Sequence, residues 1–337
     1  MPNVSVIIPN YNREMFIGET IGNLLHQTEP PEEIIVVDDG STDRSVEIVR
    51  SFGDKVILIQ QPNQGPGGAR NAGLERARCD YIQFQDSDDL LSLNKLAVQS
   101  RLMEATQADI VFGPWVKVRI TDRTLKCKGH VIQQQMPPPD FPLTHWWLRG
   151  WFSLFPPLLL RRTFLHRVGT FRTDLLMCED AEFLFRLLTS QPKCVFSPET
   201  LMLYRMHDHD RLTGKDRHKR SRQMEDWARL LLLLHERIDA VQLNLDRRTR
   251  SLLLSKMNAT LRYRRRFHPS RPGIEAALRI RVRGMSRLWL FILEIRSYRQ
   301  AFFRFLFRGT FLIPAYRPGN PTVIQRQLIA ELGYRID

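Results

Sequence analysis

Two short acidic clusters stand at the ends of apolar runs in this sequence. Asp86-Ser87-Asp88-Asp89 closes the strand-like run Tyr81-Ile82-Gln83-Phe84-Gln85, and Ile34-Ile35-Val36-Val37 ends in Asp38-Asp39-Gly40-Ser41. Carboxylates at the carboxyl ends of adjacent buried strands are costly unless a cation or hydrogen-bond donors meet them. In an open α/β sheet, that edge is where ligands bind. A divalent metal and a nucleoside diphosphate held there satisfy both conditions. Oxygen ligands select Mg2+ or Mn2+ over zinc. Such a cation offsets the charge of the diphosphate and eases its departure as a leaving group. Asp86 and Asp88 straddle Ser87, so in an extended segment their side chains point the same way.

Other residues offer complementary chemistry. Pro9 ends the first apolar run, and Tyr11 just beyond it presents a ring that either stacks on a nucleobase or packs. Asp39 can accept a hydrogen bond from the imide N–H of uracil, thymine or guanine, a proton that cytosine lacks. A turn aspartate before Gly40-Ser41 is the alternative, and Asp38 fits that description too. Gly65-Pro66-Gly67-Gly68-Ala69-Arg70-Asn71 precedes a helix through Leu74. Arg70 stands where a dinucleotide fingerprint has its third glycine, which argues against a nicotinamide site. Glycines leading into a helix N-terminus beside an arginine form an anion cradle, or else a plain loop. Glu179-Asp180 opens another helix, where the dipole alone favours acids. His207 and His209 are the two candidates for a late ligand to metal or diphosphate.

The elements that must position these groups alternate between strand and helix over the first 112 residues. Val4–Ile8, Ile34–Val37, Val56–Ile59, Tyr81–Phe84 and Asp109–Phe112 read as strands. Between them, Phe16, Ile17, Ile21, Leu24 and Leu25 show helical spacing, and a helix is expected through Leu96 to Met103. Continuous apolar strands separated by amphipathic helices indicate a parallel sheet covered on both faces. From 113 to 212 the pattern is less regular, with an aromatic and proline-rich stretch from Trp146 to Pro157. Helices are expected over Arg161–Val168 and Asp180–Thr189, and Asp89 is expected to cap the helix beginning near Ser92.

At 337 residues the chain has room for about two domains. Residues 1–212 carry 23 Lys and Arg against 26 Asp and Glu, whereas 213–337 carry 27 against 10. The net charge of +14 therefore belongs to the C-terminal third, which implies a second part with an anionic partner. The four cysteines have no paired spacing, so neither a zinc site nor a disulfide framework is indicated. The start Met1-Pro2-Asn3 lacks the pattern of a signal peptide, and no uncharged apolar run is long enough to span a bilayer. The expected compartment is the cytoplasm.

The motifs Val4-Ser5-Val6-Ile7-Ile8-Pro9-Asn10-Tyr11-Asn12, Val37-Asp38-Asp39-Gly40-Ser41, Gly68-Ala69-Arg70-Asn71 and Asp86-Ser87-Asp88-Asp89 come in this order. Together with Cys178-Glu179-Asp180 and Tyr204-Arg205-Met206-His207, they resemble the family-two glycosyltransferases over residues 4 to about 212. The resemblance implies an inverting enzyme with the GT-A fold, a Rossmann-like mixed α/β sheet flanked by helices. It implies residues 1–112 as the nucleotide-binding half and 113–212 as the acceptor half. After Arg211 the chain turns basic and helix-forming, so 213–337 is expected to be a basic, mainly helical extension. The resemblance makes Asp88 and His207 metal ligands, Asp180 the general base, and Pro9, Tyr11, Asp39, Arg70 and Asp86 the nucleotide-binding residues. The expected donor is a nucleoside-diphosphate sugar, with a UDP-sugar favoured. The acceptor is a hydroxyl on a saccharide or lipid-linked molecule, met between Trp146 and Leu176.

Within 284–308, Leu288, Phe291, Ile292, Ile295, Tyr298, Phe302 and Leu306 fall in one helical arc, which Arg299 interrupts. Arginines flank this arc, and Arg262 and Arg264-Arg265-Arg266 form a basic cluster nearby. An interfacial helix on anionic lipid and a helix packed on the catalytic part both fit, and the first would place the protein at the inner face of a membrane. Two further functions compete. A nucleotidyltransferase needs a glycine-rich, basic loop after the first strand, where this chain has Pro9-Asn10-Tyr11-Asn12-Arg13. A nucleic-acid binder fits the basic tail but not the acids at the strand ends, which repel phosphate unless a metal intervenes.

Overall fold

The computed structural model describes residues 3–121, 124–127, 142–148, 154–207, 217–247, 249–251, 253–254, 256–257 and 321–336. His209, the Arg262–Arg266 cluster, the 284–308 segment and the boundary expected at 212 lie outside them, as does part of the stretch from Trp146 to Pro157. Among the described residues no helix is long and apolar enough to cross a membrane.

The strands are β1 (Val4–Asn10), β2 (Glu33–Asp38), β3 (Ile57–Gln60), β4 (Tyr81–Phe84), β5 (Leu90–Leu91), β6 (Ile110–Phe112), β7 (Trp115–Thr121), β8 (Thr124–Cys127), β9 (Leu158–Arg161), β10 (Cys194–Phe196), β11 (Met202–Arg205) and β12 (Arg335–Ile336). A seven-stranded sheet runs β10-β6-β9-β4-β1-β2-β3. Every pairing in it is parallel except those of β9, which lies antiparallel between β4 and β6. The parallel sheet expected from the apolar runs is therefore a mixed one, as the family resemblance implied. A second, five-stranded sheet runs β12-β8-β7-β11-β5.

Both faces of the large sheet are covered because its strands are apolar on both. Val4, Val6 and Ile8 of β1 enter one core with Ile34 and Val36 of β2. Ile7, Ile35 and Val37 enter the opposite one. This is the side-chain alternation of a strand buried on two sides. The first core is closed by α1 (Ile17–Leu25), α2 (Ser45–Arg50) and α4 (Lys95–Thr106). The second is closed by α3 (Gly65–Arg76), α5 (Leu143–Leu148), α6 (Arg162–Val168), α7 (Glu179–Thr189) and α8 (Arg217–Ala240). Helix α1 buries Ile17, Thr20, Ile21 and Leu24, the stripe expected from its spacing.

Pro9 does not end β1, which continues to Asn10 in register with Asp38. Ile7 accepts a bond from Gln85 on the β4 side, and Pro9 faces that same side two residues on. Strand β4 ends at Phe84, so the N–H that proline lacks forfeits no ladder bond there.

The end of the chain folds back onto the small sheet. Helix α9 (Val323–Glu331) starts with a capping box between Thr322 and Gln325. Its Leu328 and Ile329 are buried with Leu90, Val116, Val118, Leu125, Leu201 and Leu203. Strand β12 then pairs in parallel with β8.

Candidate active site

The carboxyl ends of β1, β2 and β4 meet the start of α7 and the end of β11. Asp38 holds the first corner. Its Oδ2 accepts from Asn10 Nδ2 at 2.9 Å and its Oδ1 from the Ser41 N–H at 3.0 Å. It is the turn aspartate. Asp39, only 3% exposed, accepts from Gln61 Nε2 at 2.7 Å and from the N–H groups of Gln64 and Gly65, both at 2.8 Å. Those two N–H groups belong to the start of α3, so the acid sits where the helix dipole favours it.

This arrangement corrects the expected glycine cradle. Helix α3 begins at Gly65 itself, so the glycines lie inside the helix and not in a loop before it. The anion at its N-terminus is Asp39. The small residues serve packing instead. A Cβ on Gly67 would stand 2.8 Å from the carbonyl oxygen of Arg172, and one on Gly73 would stand 2.3 Å from Ile7 Cγ2.

Residues 86–89 form a turn, closed by the Asp89 N–H on the Asp86 carbonyl at 3.3 Å. Asp86 and Asp88 therefore do not share one direction, as an extended segment requires. Asp86 Oδ1 accepts from Arg70 Nη2 at 3.0 Å, and Arg70 Nη1 donates to Glu179 Oε1 at 2.7 Å. The guanidinium lies over the Phe171 ring, 5.4 Å from its centroid, and its side chain is 8% exposed. Arg70 is thus committed to carboxylates, and it bridges the acid turn to the first residue of α7.

Three carboxyl groups share that one guanidinium, because Asp180 also feels its charge. Burial pushes the Asp180 carboxyl up, against the pull of Arg70. Burial and then the neighbouring Asp180 push Glu179 up to about 8, with Arg70 opposing. Asp86 is raised by burial despite Arg70, and Asp88 and Asp180 add to the rise. Asp180 Oδ1 accepts from the Ala181 N–H at 2.6 Å.

A second group forms around Asp88. Its Oδ2 lies 2.9 Å from His207 Nε2 and 3.2 Å from Arg13 Nε. Burial works against its charge, but the His207 hydrogen bond and the Arg13 guanidinium hold its carboxyl below the usual range. Tyr11 is 41% exposed at the end of β1. Asp89 does not cap α4, which begins at Lys95 after Asn94. It accepts instead from the Arg205 N–H at 2.8 Å, tying the acid turn to β11. Its Oδ2 is buried with no hydrogen-bond partner among the described residues. Burial, Asp88 and Asp86 raise this carboxyl well above the usual range, against the pull of the Arg205 N–H and guanidinium.

Asp88 and His207 offer a carboxylate oxygen and an imidazole nitrogen at one point, a donor set that Mn2+ or Mg2+ accepts. Among the described residues no three His, Cys, Asp or Glu side chains converge as a metal cluster. Phosphate oxygens and water would have to supply the remaining ligands. Sequence reasoning brought Asp86, Asp88, Asp180 and His207 to one rim. It gave no role to Arg13, which directly follows a quoted motif, or to Glu179, which lies inside one.

Residues 5–169 match the family model described as Glycosyl transferase family 2. This part of the chain belongs to that family. Over 211 residues the chain is 32% identical to the uncharacterised glycosyltransferase EpsJ of Bacillus subtilis, covering 61% of either protein. It spans only 43% to 65% of the length of three curated relatives that it matches. Among solved structures it is similar to S. aureus TarS 1-349 in complex with UDP (TM-score 0.55, 21% identity, 76% of this chain and 70% of that one). It is similar also to the mannosyltransferase PcManGT from Pyrobaculum calidifontis in complex with GDP-Man and Mn2+ (TM-score 0.54, 17% identity, 98% and 86%). These likenesses establish the GT-A fold for this chain.

Proposed function

We propose that the chain is a metal-dependent, inverting glycosyltransferase that moves a sugar from a nucleoside-diphosphate donor to a hydroxyl acceptor. The observation that carries this reading is the meeting, at one sheet rim, of the buried Arg70–Asp86–Glu179–Asp180 group and the Asp88–His207 pair. Two unlike acid sites side by side suit a reaction that needs a base for one oxygen and charge neutralisation for another.

Asp180 is the base. Its Oδ1 is committed to the Ala181 N–H, so Oδ2 takes the proton from the acceptor hydroxyl. The acceptor oxygen forms a bond to the anomeric carbon while the bond from that carbon to the diphosphate breaks. The nucleoside diphosphate leaves with the electron pair. A base on the face opposite the leaving group inverts the carbon in one displacement. The raised affinity of Asp180 for a proton makes it a stronger base than an exposed aspartate. Arg70 fixes Asp86 on the nucleotide side.

Asp88 and His207 would hold Mn2+ or Mg2+, which supplies charge stabilisation for the departing diphosphate. PcManGT, with GDP-Man and Mn2+, supports that reading of the shared fold. Tyr11 offers its ring to the base, and the uncommitted lone pair of Asp39 Oδ2 offers an acceptor to an imide N–H. This favours a UDP-sugar, and TarS, which was solved with UDP, is consistent with it. The acceptor is a saccharide or lipid-linked hydroxyl, in polysaccharide or glycolipid synthesis, with the protein peripheral at the inner face of a membrane.

Release of nucleoside diphosphate from a panel of UDP- and GDP-sugars, with and without Mn2+, tests the assignment. NMR of the product's anomeric configuration tests inversion. Absence of both binding and turnover across the panel overturns the reading.

A further inference from the structure

The far end of the chain reaches the rim of the site. Strand β12 aligns Arg335 with Thr124 and Ile336 with Leu125 of β8. Strand β8 pairs with β7, and β7 pairs with β11 as far as Arg205 opposite Val118. Leu328 and Ile329 of α9 pack under Leu90 and Leu203, just beyond Asp89 and just before Arg205.

Side chains continue the same line. The Tyr334 hydroxyl donates to Glu19 Oε1. Glu19 Oε2 accepts from Arg205 Nη1 at 2.5 Å. The Arg205 guanidinium lies over the Phe16 ring, 5.2 Å from its centroid. The Phe16 ring meets the His207 imidazole at 4.4 Å with a 30° tilt. His207 Nε2 then reaches Asp88 Oδ2 at 2.9 Å.

We infer that residues 321–336 are part of the frame of the active site, and that Tyr334, Glu19 and Arg205 are positioning residues for His207. The metal role of His207 rests on the function proposed above, but its placement by this relay does not. Outer partners of a ligand set its orientation, and removing one typically weakens metal binding about 10- to 100-fold. Because β12 and α9 still dock by apolar burial and backbone pairing, loss of the Tyr334 hydroxyl alone separates positioning from folding.

The experiment compares the full chain with Tyr334→Phe and Glu19→Gln in two measurements. The first is the His207 ring resonance in histidine-labelled NMR spectra, assigned with His207→Gln. The second is Mn2+ affinity by electron paramagnetic resonance. Tyr334→Phe is expected to move the His207 resonance and weaken Mn2+ binding about tenfold, with Glu19→Gln doing the same. A His207 resonance unmoved in both variants overturns the inference, whatever the metal does. Should the wild-type protein bind no Mn2+ while the His207 resonance still moves, the metal assignment falls and the positioning stands.

Discussion

At Arg70, three acids depend on one guanidinium, and the energetic result is a proton retained. Glu179 has an ordinary value of 4.5 and is pushed up to about 8 by burial and Asp180. The folded state therefore binds this proton more tightly than the unfolded chain between those values. Its stabilising contribution is complete below the unfolded value and is lost as pH rises towards 8, by at most about 1.4 kcal/mol per pH unit. The melting temperature of the metal-free protein is expected to fall between pH 5 and 8, and Glu179→Gln to remove part of that fall. A scan of Tm against pH for both proteins checks this. Asp180→Asn is expected to lower kcat about 10²- to 10⁴-fold, the span of general-base contributions, while nucleotide affinity is kept. Normal turnover by a folded Asp180→Asn protein removes it as the base. Asp86, Asp88 and Asp180 were legible because each sits at the end of an element that could itself be read, and His207 because it closes the motif Tyr204-Arg205-Met206-His207. The parts played by Arg13 and Glu179 were not, since their partners lie 75 and 109 residues away and only the fold brings them together.

Helix α3 shows how an element can carry a misleading pattern. Its glycines look like a phosphate cradle, yet Gly73 is there so that the helix can lie against β1 and β2. Gly73→Ala adds about 1 kcal/mol of helix propensity. It also places a methyl 2.3 Å from Ile7 Cγ2 and 3.3 Å from Val37 Cγ2. Both neighbours sit in the central strands and cannot yield, so overpacking of about 1–3 kcal/mol wins. Urea unfolding should show a lowered midpoint with an unchanged slope. The strands of the large sheet were legible as unbroken apolar runs. Strand β9 was passed over between the proline-rich stretch and the helix expected from Arg161, and its antiparallel direction is set by its neighbours. Strand β7 carried a readable alternation of Val116, Val118 and Ile120 with Lys117 and Arg119, which the local reading passed over. Strands β5 and β12 are two residues each, too short to leave any pattern.

The whole molecule divides by charge more sharply than by structure. Residues 213–337 hold 27 Lys and Arg against 10 Asp and Glu, yet part of this region packs closely on the catalytic half. Asp226 of α8 accepts from the N–H groups of Leu176 and Met177, both at 3.0 Å, in the loop that leads to Glu179. The described part of the extension therefore serves the site. The basic cluster Arg264-Arg265-Arg266 lies outside the described residues and is the part of the sequence assigned to the proposed membrane role. Sedimentation with phosphatidylglycerol vesicles should fall at least tenfold on replacing these three arginines with glutamate, given about 1 kcal/mol for each basic residue near an anionic surface. It should also fall on raising salt. Binding indifferent to both changes removes this cluster as the lipid contact.

The Tyr334–Glu19 contact joins residues 315 positions apart. At typical rates of synthesis, Glu19 leaves the ribosome on the order of tens of seconds before its partner exists. From the time each is made, Leu90, Val116 and Leu203 wait without α9 to cover them. A nascent chain stalled in this window should present a greasy, half-built sheet to chaperones, and its catalytic rim would be among the last parts to mature.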